Sequence, residues 1–193
     1  MDFFKPKGVL MVLVGPSGSG KGTVLKEVLK NNENTFLSIS ATTRNPRQGE
    51  ENGKNYYFMT KEEFISLRDN DGFLEWAEYC DNFYGTPKKA VLDSLEAGKN
   101  IVLEIEMQGA KQVKKMYKEA VLAFITPPSM DILKERLVGR QTEDEETVNK
   151  RLKTAEEEIQ FMKECDYVVI NDILENAVED VCSILRSESI RIK

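Results

Sequence analysis

The sequence contains no histidine, only three cysteines, and no long hydrophobic run. Without histidine, the chain lacks both the side chain that most often acts as a general base near neutral pH and the commonest zinc ligand. Cys80, Cys165 and Cys182 show no CxxC spacing, which favours reduced, buried thiols over a disulfide framework. Histidine-based catalysis and a disulfide-stapled scaffold are therefore not expected.

No window approaches the ~20 consecutive apolar residues that a membrane-spanning helix needs. The first residues, MDFFKPKGVLMVLVG, lack the longer apolar stretch and the cleavage site of a signal peptide. The net charge of −6 argues against a nucleic acid or an anionic membrane as the main partner, because both require a broad positive surface. We therefore expect a soluble, cytoplasmic protein whose anion-binding sites are local.

Four apolar segments, residues 9–14, 100–106, 120–126 and 166–171, lack the alternation that is typical of half-exposed strands. Continuous apolar runs of this length indicate strands that are buried on both faces of a parallel sheet. Each run is next to a segment with helical periodicity. We therefore predict an α/β fold in which helices flank a parallel sheet.

Two segments depart from this pattern. Around residues 37–86, short polar-rich strands surround a helix that begins with the capping box Thr60–Glu63, which predicts an inserted mixed α+β lobe. Later in the chain, a second capping box, Thr142–Glu145, precedes a helix whose exposed face is dense in charge. The final helix is expected to begin at an Asp172 N-cap.

The segment GPSGSGKGT, residues 15–23, has the GxxxxGK spacing of a glycine-rich phosphate loop. Such a loop points backbone N–H groups and a helix N-terminus at phosphate oxygens, and it needs glycines where side chains would block the phosphate. Lys21 adds a cation for the β- and γ-phosphates. The expected nucleotide-binding residues are Gly15, Pro16, Ser17, Gly18, Ser19, Gly20, Lys21, Gly22 and Thr23.

Further motifs follow in a specific order: SATTRNPR at 40–47, NGKNYYF at 52–58, FLEWAEY at 73–79, FYGTP at 83–87 and VVIND at 168–172. In this order they resemble the guanylate kinases, which transfer a phosphoryl group from ATP to GMP. The resemblance implies one domain with a P-loop core at 1–36, 87–127 and 164–193. It also implies a GMP-binding lobe at 37–86 and a helical lid at 128–163.

The resemblance places the GMP site at Ser40, Arg44, Arg47, Tyr56, Glu75, Tyr84, Thr86 and Glu106. A carboxylate at Glu75 can accept from the N1–H and the exocyclic amine of guanine, which adenine does not offer in the same arrangement. Arginine forks at 44 and 47 can clamp a phosphate, although in isolation such a loop would simply face solvent. Thr86 has an alternative role, because TPKK also fits an N-cap followed by proline at the first helical position.

On the ATP side, the resemblance implies that Asn171 lies near the adenine and that the lid arginines contact phosphates. The expected catalytic residues are Lys21, Arg44, Arg136, Arg140 and Arg151. Mg²⁺ is the expected cofactor, held mainly through phosphates and water, with Glu104 and Glu106 as candidate outer-shell ligands at the end of a strand. Gly22 stands where such loops usually carry a hydroxyl, and Gln141 replaces a family glycine in a position that would stiffen the lid hinge.

Parts of the sequence are also compatible with three other functions. The segment EMQG at 106–109 echoes the DxxG of switch GTPases, but no NKxD motif is present and Gly22 offers no hydroxyl ligand. A catalytically weak, protein-binding relative would typically have a degraded phosphate loop, whereas Lys21 and its glycines are intact. A kinase of the same architecture could act on another nucleoside monophosphate, but Glu75 together with Ser40 favours guanine over adenine or a pyrimidine. The expected partners are thus ATP and GMP, with no nucleic acid or membrane, and the chain is either a monomer or a homo-oligomer.

Overall fold

The computed structural model describes residues 7–138 and 145–192. Within these ranges the elements in chain order are β1 (Leu10–Val14), α1 (Lys21–Asn31), β2 (Thr35–Leu37), β3 (Ala41–Thr42), β4 (Tyr57–Phe58), α2 (Lys61–Asp69), β5 (Phe73–Tyr79), β6 (Asn82–Pro87), α3 (Lys88–Glu96), β7 (Asn100–Glu104), α4 (Met107–Met116), β8 (Val121–Thr126), α5 (Met130–Val138), α6 (Glu145–Phe161), β9 (Tyr167–Ile170) and α7 (Leu174–Ser189). A single 3₁₀ turn, Met162–Glu164, separates α6 from β9.

The larger sheet has five strands in the order β2-β7-β1-β8-β9, and all of its strand pairs are parallel. Parallel neighbours require crossover connections, which here include helices between the strands. β1 lies at the centre, so that Leu13 is paired with Glu104 on one side and with Ala123 on the other. The predicted parallel α/β sheet is therefore confirmed.

The side chains of β1 alternate between two apolar layers. Met11 and Leu13 pack in the cluster that contains the buried residues of α1 and α7. Leu10 and Val12 pack in the cluster that contains the buried residues of α3 and α4. Because both faces of the strand are covered, its sequence reads as a continuous apolar run with no polar alternation.

Strand boundaries differ from the predicted segments in two places. The predicted strand at 100–106 ends at Glu104, and Glu106 is instead the residue that precedes α4, with φ −79° and ψ 165°. Only Glu104 therefore ends the strand at which both glutamates were expected. The edge strand β2 was not predicted, because its three residues, two of them exposed, are too few to show a periodicity.

The smaller sheet has four strands in the order β4-β3-β6-β5 and confirms the predicted mixed α+β lobe. Its core is aromatic: Phe64 of α2 stacks on Phe73 at 4.3 Å and on Phe83 at 5.3 Å between ring centroids. The Thr60–Glu63 capping box is also confirmed. Glu63 N donates to Thr60 Oγ1 at 3.1 Å, and Thr60 N donates to Glu63 Oε2 at 2.8 Å.

The predicted Asp172 cap is wrong, and the alternative cap role of Thr86 is not observed. α3 has Pro87 as its N-cap, and Thr86 remains in β6 because its hydroxyl bonds to a buried carboxylate across the sheet. α7 has Ile173 as its N-cap with no side-chain cap hydrogen bond, so Asp172 does not cap it. Thr142, the first residue of the predicted box Thr142–Glu145, lies outside the described residues, and so does the hinge residue Gln141. The box therefore stays a prediction.

α5 and α6 pack against each other through a small apolar cluster of Leu133, Leu137, Val148 and Ala155. The side chains at 148, 152 and 155 belong to the stripe that the helical spacing predicts. None of the described helices is both long and apolar enough to cross a membrane.

The aromatic cluster of the smaller sheet provides a test of the fold. Phe64→Ala should lower the free energy of unfolding by about 3–5 kcal/mol, because it removes a fully buried ring and leaves a cavity. The adjacent variant Ile65→Ala should cost less than about 1 kcal/mol, because Ile65 is 36% exposed. Urea unfolding measures both values, and similar losses for the two variants would contradict this packing.

Candidate active site

The phosphate loop leaves β1 through backbone conformations that favour glycine. Gly15 has φ 139°, and a Cβ there would lie 2.0 Å from the carbonyl oxygen of Ile125. Gly20 has φ 88°, and a Cβ there would lie 2.4 Å from the side-chain nitrogen of Asn171. Gly20 is also the N-cap of α1, with no side-chain cap hydrogen bond. The loop backbone thus packs on the sheet edge, and the helix N-terminus is left for an anion.

The other side chains of the loop fall into two groups. Ser17 and Thr23 are exposed, whereas Pro16 and Ser19 are buried. Within the described residues, the hydroxyl of Ser19 has no hydrogen-bond partner. Ser19 N donates to Pro16 O at 3.1 Å, and Pro16 has no backbone N–H, so the nucleotide-binding role of these two residues stays a prediction.

Lys21 folds back over its own loop. Its Nζ donates to the carbonyl oxygens of Gly15 at 2.5 Å and Pro16 at 3.1 Å. Burial lowers the pKa of Lys21, whereas the carboxylates of Glu104 and Glu158 raise it. The ammonium group is therefore held at the loop by carbonyl oxygens and nearby carboxylates together.

Asn171 joins the loop to the edge of the sheet. Its side-chain nitrogen donates to Ser19 O at 2.8 Å, and its backbone N–H donates to Thr126 O at 2.7 Å. Arg136 Nη2 of α5 donates to Asn171 O at 2.8 Å. Asn171 therefore connects the loop to α5, because its side-chain amide binds Ser19 and its backbone carbonyl binds Arg136. Among the other expected lid arginines, Arg151 lies on α6 and Arg140 lies outside the described residues.

A cleft of about 530 Å³ gathers much of the expected GMP site. Its lining includes Ser40, Tyr56, Glu75, Tyr84, Glu104 and Glu106. Thr86 lines an adjoining pocket of about 150 Å³ that shares Ser40 and Tyr56 with this cleft. Residues from both sheets therefore meet at one cavity, as expected from a site between a core and an inserted lobe.

Glu75 is a buried carboxylate at this cleft, only 7% exposed. Burial raises the pKa of Glu75, and the hydrogen bond from Thr86 opposes this by lowering it. Thr86 Oγ1 donates to Glu75 Oε1 at 2.6 Å. The next residue, Trp76, is held on both backbone groups by the Gln112 amide of α4, at 3.1 Å each. The carboxylate is therefore fixed in position as an acceptor. No local pattern in the sequence predicts the contact of Gln112 with Trp76.

Arg44 is already paired with a carboxylate. Its Nη2 donates to Glu50 Oε1 at 2.9 Å and Oε2 at 3.0 Å, and the guanidinium carbon lies 5.5 Å from the Tyr56 ring centroid. This hydrogen bond raises the pKa of Arg44 and lowers that of Glu50. Glu50 also accepts from the backbone N–H of Arg47 at 2.7 Å, while the Arg47 side chain is exposed.

Two functional candidates were missed from the sequence. Glu50 was one, although it follows Arg44 and Arg47 in the same polar loop. The other is Glu158 of α6, whose pKa is raised by burial and lowered by the nearby Lys21. Charged residues are common on exposed helix faces, so the helical spacing of Glu158 gave no signal of its position beside the loop.

The carboxylates at the sheet edge could contribute to a metal site only together with a substrate. Glu104 and Glu106 both line the cleft. Within residues 7–138 and 145–192, no group of three or more histidine, cysteine, aspartate or glutamate side chains is arranged to hold a metal ion. Phosphate oxygens would therefore have to complete the coordination of a hard cation such as Mg²⁺.

Comparisons with known proteins find matches over nearly the whole chain. The family model described as guanylate kinase matches residues 7–188. The guanylate kinase of Clostridioides difficile strain 630 is 48% identical over 98% of this chain and 92% of its own length. That of Clostridium tetani strain Massachusetts / E88 is 51% identical over 96% and 89%. The crystal structure of guanylate kinase from Anaplasma phagocytophilum has a TM-score of 0.73 at 38% identity, covering 97% of this chain and 89% of that one.

The buried carboxylate predicts a pH-dependent stability difference. Because the folded state raises the pKa of Glu75, the unfolded chain ionises first as the pH rises, and stability is lost above the unfolded pKa. Glu75→Gln keeps an acceptor for Thr86 and removes this loss. The Tm difference, variant minus wild type, should therefore be larger at pH 7 than at pH 4.

Thermal unfolding at the two pH values measures this difference. Glu78→Gln, in the exposed part of the same strand, is the matched control and should change Tm little at either pH. A Glu75→Gln variant that gains no stability relative to wild type between pH 4 and pH 7 would show that burial of this carboxylate carries no cost.

Proposed function

We propose, from the premise that this chain belongs to the guanylate kinase family, that it transfers a phosphoryl group from ATP to GMP and so forms ADP and GDP in purine nucleotide metabolism. The observation that carries the proposal is that Glu104 lines the cleft that contains Glu75 and also lies beside the phosphate loop, where its Oε1 would be 3.6 Å from a Cβ at Gly22. A protein-binding module without catalysis would have no use for Lys21 in this loop.

ATP binds with its phosphates at the loop and at the N-terminus of α1. The backbone N–H groups supply donors, and Lys21 exchanges its bonds to the Gly15 and Pro16 carbonyl oxygens for phosphate oxygens. Asn171 is the residue expected near the adenine. Its hydrogen bond to Ser19 O holds the loop against the edge of the sheet on that side. The glycines of the loop act through their backbone groups.

GMP binds in the cleft with its base at Glu75. Thr86 donates to Oε1 of this carboxylate, which fixes its orientation and leaves the remaining acceptor sites for the N1–H and exocyclic amine of guanine. Adenine would meet Glu75 with an unprotonated N1 and leave a buried carboxylate unsatisfied, which is a costly mismatch. Ser40 adds a hydroxyl at the same cleft.

The GMP phosphate binds at Arg44, Arg47, Tyr56 and Tyr84. In this structure the Arg44 fork holds Glu50, so binding replaces one anion by another at a guanidinium that is already oriented. Such an exchange avoids exposing an unpaired arginine when the site is empty of substrate. Glu50 therefore positions Arg44 in the free enzyme.

The chemical step needs no general base. An oxygen of the GMP phosphate, already anionic, attacks the γ-phosphorus, and the bond to the β–γ bridging oxygen breaks and leaves ADP. Lys21 and the lid arginines Arg136, Arg140 and Arg151 neutralise the charge that spreads over the transferred group. Closure of the lobe at 37–86 and the lid at 128–163 excludes water, which would otherwise accept the phosphoryl group.

Phosphoryl transfer of this family requires a divalent metal, and we assign Mg²⁺. It neutralises charge on the phosphates of ATP. The donors present fit it, because Glu104 and Glu106 supply hard carboxylate oxygens at the cleft. Since ATP and GMP are nucleotides of the cytoplasm, we place the enzyme there.

A coupled assay of ADP formation tests this function. With ATP and Mg²⁺, turnover should depend on GMP and should be weak with AMP, UMP or dTMP. Glu75→Gln should lower the ratio of kcat/KM for GMP to that for AMP by roughly 100-fold, because an amide N–H then faces the guanine donors. The absence of GMP-dependent ADP formation would overturn the assignment.

Lys21 should be essential for the transfer. Lys21→Ala should lower kcat by at least about 100-fold, because it removes a cation that acts on the transferred phosphoryl group. Lys26→Ala, on the exposed face of the same helix, is the matched control and should leave kcat within a factor of two or so of wild type. Steady-state kinetics at saturating ATP and GMP compares the two, and equal rates would remove Lys21 from the mechanism.

A further inference from the structure

A side chain of α4 closes the edge of the strand that carries Glu75. Among the described strands, β5 is the last of the smaller sheet, so one of its edges has no neighbouring strand. Trp76 N donates to Gln112 Oε1, and Gln112 Nε2 donates to Trp76 O, each at 3.1 Å. Because an amide side chain has both a donor and an acceptor, it pairs with a strand residue as another strand would. Gln112 therefore holds β5 directly beside Glu75.

The same helix leaves room for the Glu75 carboxylate at Gly109. This glycine lies three residues before Gln112, so the two residues share one face of α4. A Cβ at Gly109 would lie 3.0 Å from Glu75 Oε2 and 3.2 Å from Ile105 Cδ1, both closer than ordinary van der Waals contact. Gly109 does not have a positive φ. Glycine is therefore needed at 109 for space and not for backbone conformation.

The carboxylate has little freedom to withdraw from such a Cβ. Its other oxygen, Oε1, accepts from Thr86 at 2.6 Å, and the side chain is buried. The register of β5 against β6 shifts between Phe73 and Glu75, which brings Glu75 opposite Thr86. Irregularities of this kind re-aim side chains next to binding sites. Leu74, at this shift, packs in the cluster that contains the buried residues of α3 and α4, so the core also holds β5 here.

We propose that α4 determines the guanine selectivity of this chain through Gly109 and Gln112, which together set the depth at which the Glu75 carboxylate stands in the cleft. Gly109 lines the cleft and is a specificity-determining residue, because its missing side chain admits Oε2. Gln112 is a positioning residue, since it acts through the backbone of β5. The proposal rests on the function proposed above and deepens it.

The geometry of guanine makes this depth important. Guanine presents two adjacent donors, the N1–H and the exocyclic amine, so both oxygens of Glu75 must lie at hydrogen-bond distance in one plane. A Cβ at 109 would displace Oε2 and disturb either this alignment or the bond from Thr86. Binding of GMP should therefore weaken. AMP should be affected less, because adenine has no donor at N1, and ATP at the phosphate loop should be unaffected.

Steady-state kinetics with GMP, AMP and ATP tests the proposal. Gly109→Ala should raise the KM for GMP by at least about 10-fold and lower the ratio of kcat/KM for GMP to that for AMP by a similar factor. The KM for ATP should stay within about two-fold of wild type. Gln112→Ala should change the same quantities in the same direction. Lys115→Ala, exposed on the same helix, is the matched control and should change none of them.

Two outcomes of these assays would contradict the proposal. A Gly109→Ala variant with an unchanged KM for GMP and an unchanged ratio would overturn the role of Gly109. A Gln112→Ala variant that raised the KM for ATP as much as that for GMP would show a general structural role and overturn its assignment to selectivity. Alanine is a better helix former than glycine, so weaker GMP binding by Gly109→Ala would not come from a weaker α4.

A second background tests whether Gly109 acts through the carboxylate. In Glu75→Ala no carboxylate lies against the Cβ at 109, so adding Gly109→Ala should change the Kd for GMP much less than it does in wild type. Calorimetric titration with GMP measures the four affinities, and equal effects in the two backgrounds would overturn the proposal. If wild type neither bound nor phosphorylated GMP, the proposed function itself would fail, which distinguishes the two failures.

Discussion

The close packing of the phosphate loop on the carboxyl edge of the parallel sheet is the constraint on which the rest of this site depends. At Gly15 the loop backbone lies against Ile125 of β8, and at Gly20 it lies against Asn171, which follows β9. Neither approach tolerates a side chain. Because β1 is central, residues that end β7, β8 and β9 all lie along the same edge as the loop. The order of the strands therefore decides which side chains meet the phosphates.

Three charged side chains of the site have partners within the protein. Lys21 is bound to carbonyl oxygens and faces carboxylates, Arg44 holds Glu50, and Glu75 accepts from Thr86. A buried or half-buried charge without a partner is costly. Under the proposed function, substrate binding exchanges these partners for substrate groups at side chains that are already oriented, and the cations that bind the phosphates are local although the net charge is −6.

Much of the fold could be predicted because its signals are local. The apolar strands, the GxxxxGK spacing and the Thr60–Glu63 box each occupy a few consecutive residues. The edge strand β2 is too short to show a periodicity, and the N-cap that the sequence predicts at Asp172 does not form. Glu50 and Gln112 were missed because their partners lie elsewhere in the loop or on another element, and no spacing within a helix or strand indicates such a pairing.

The sequence by itself determined the parallel sheet, the phosphate loop, the order of the GMP-site motifs and the residue types available for chemistry. Hydrophobic periodicity and the backbone conformation of a glycine-rich loop each involve only a few consecutive residues, so both can be recognised from the sequence alone. Only the tertiary structure decided that the Thr86 hydroxyl binds Glu75 instead of capping α3, and that Glu104 reaches the space beside Gly22. Both outcomes depend on the pairing of strands distant in sequence, because neighbouring strands bring together side chains that no local pattern relates.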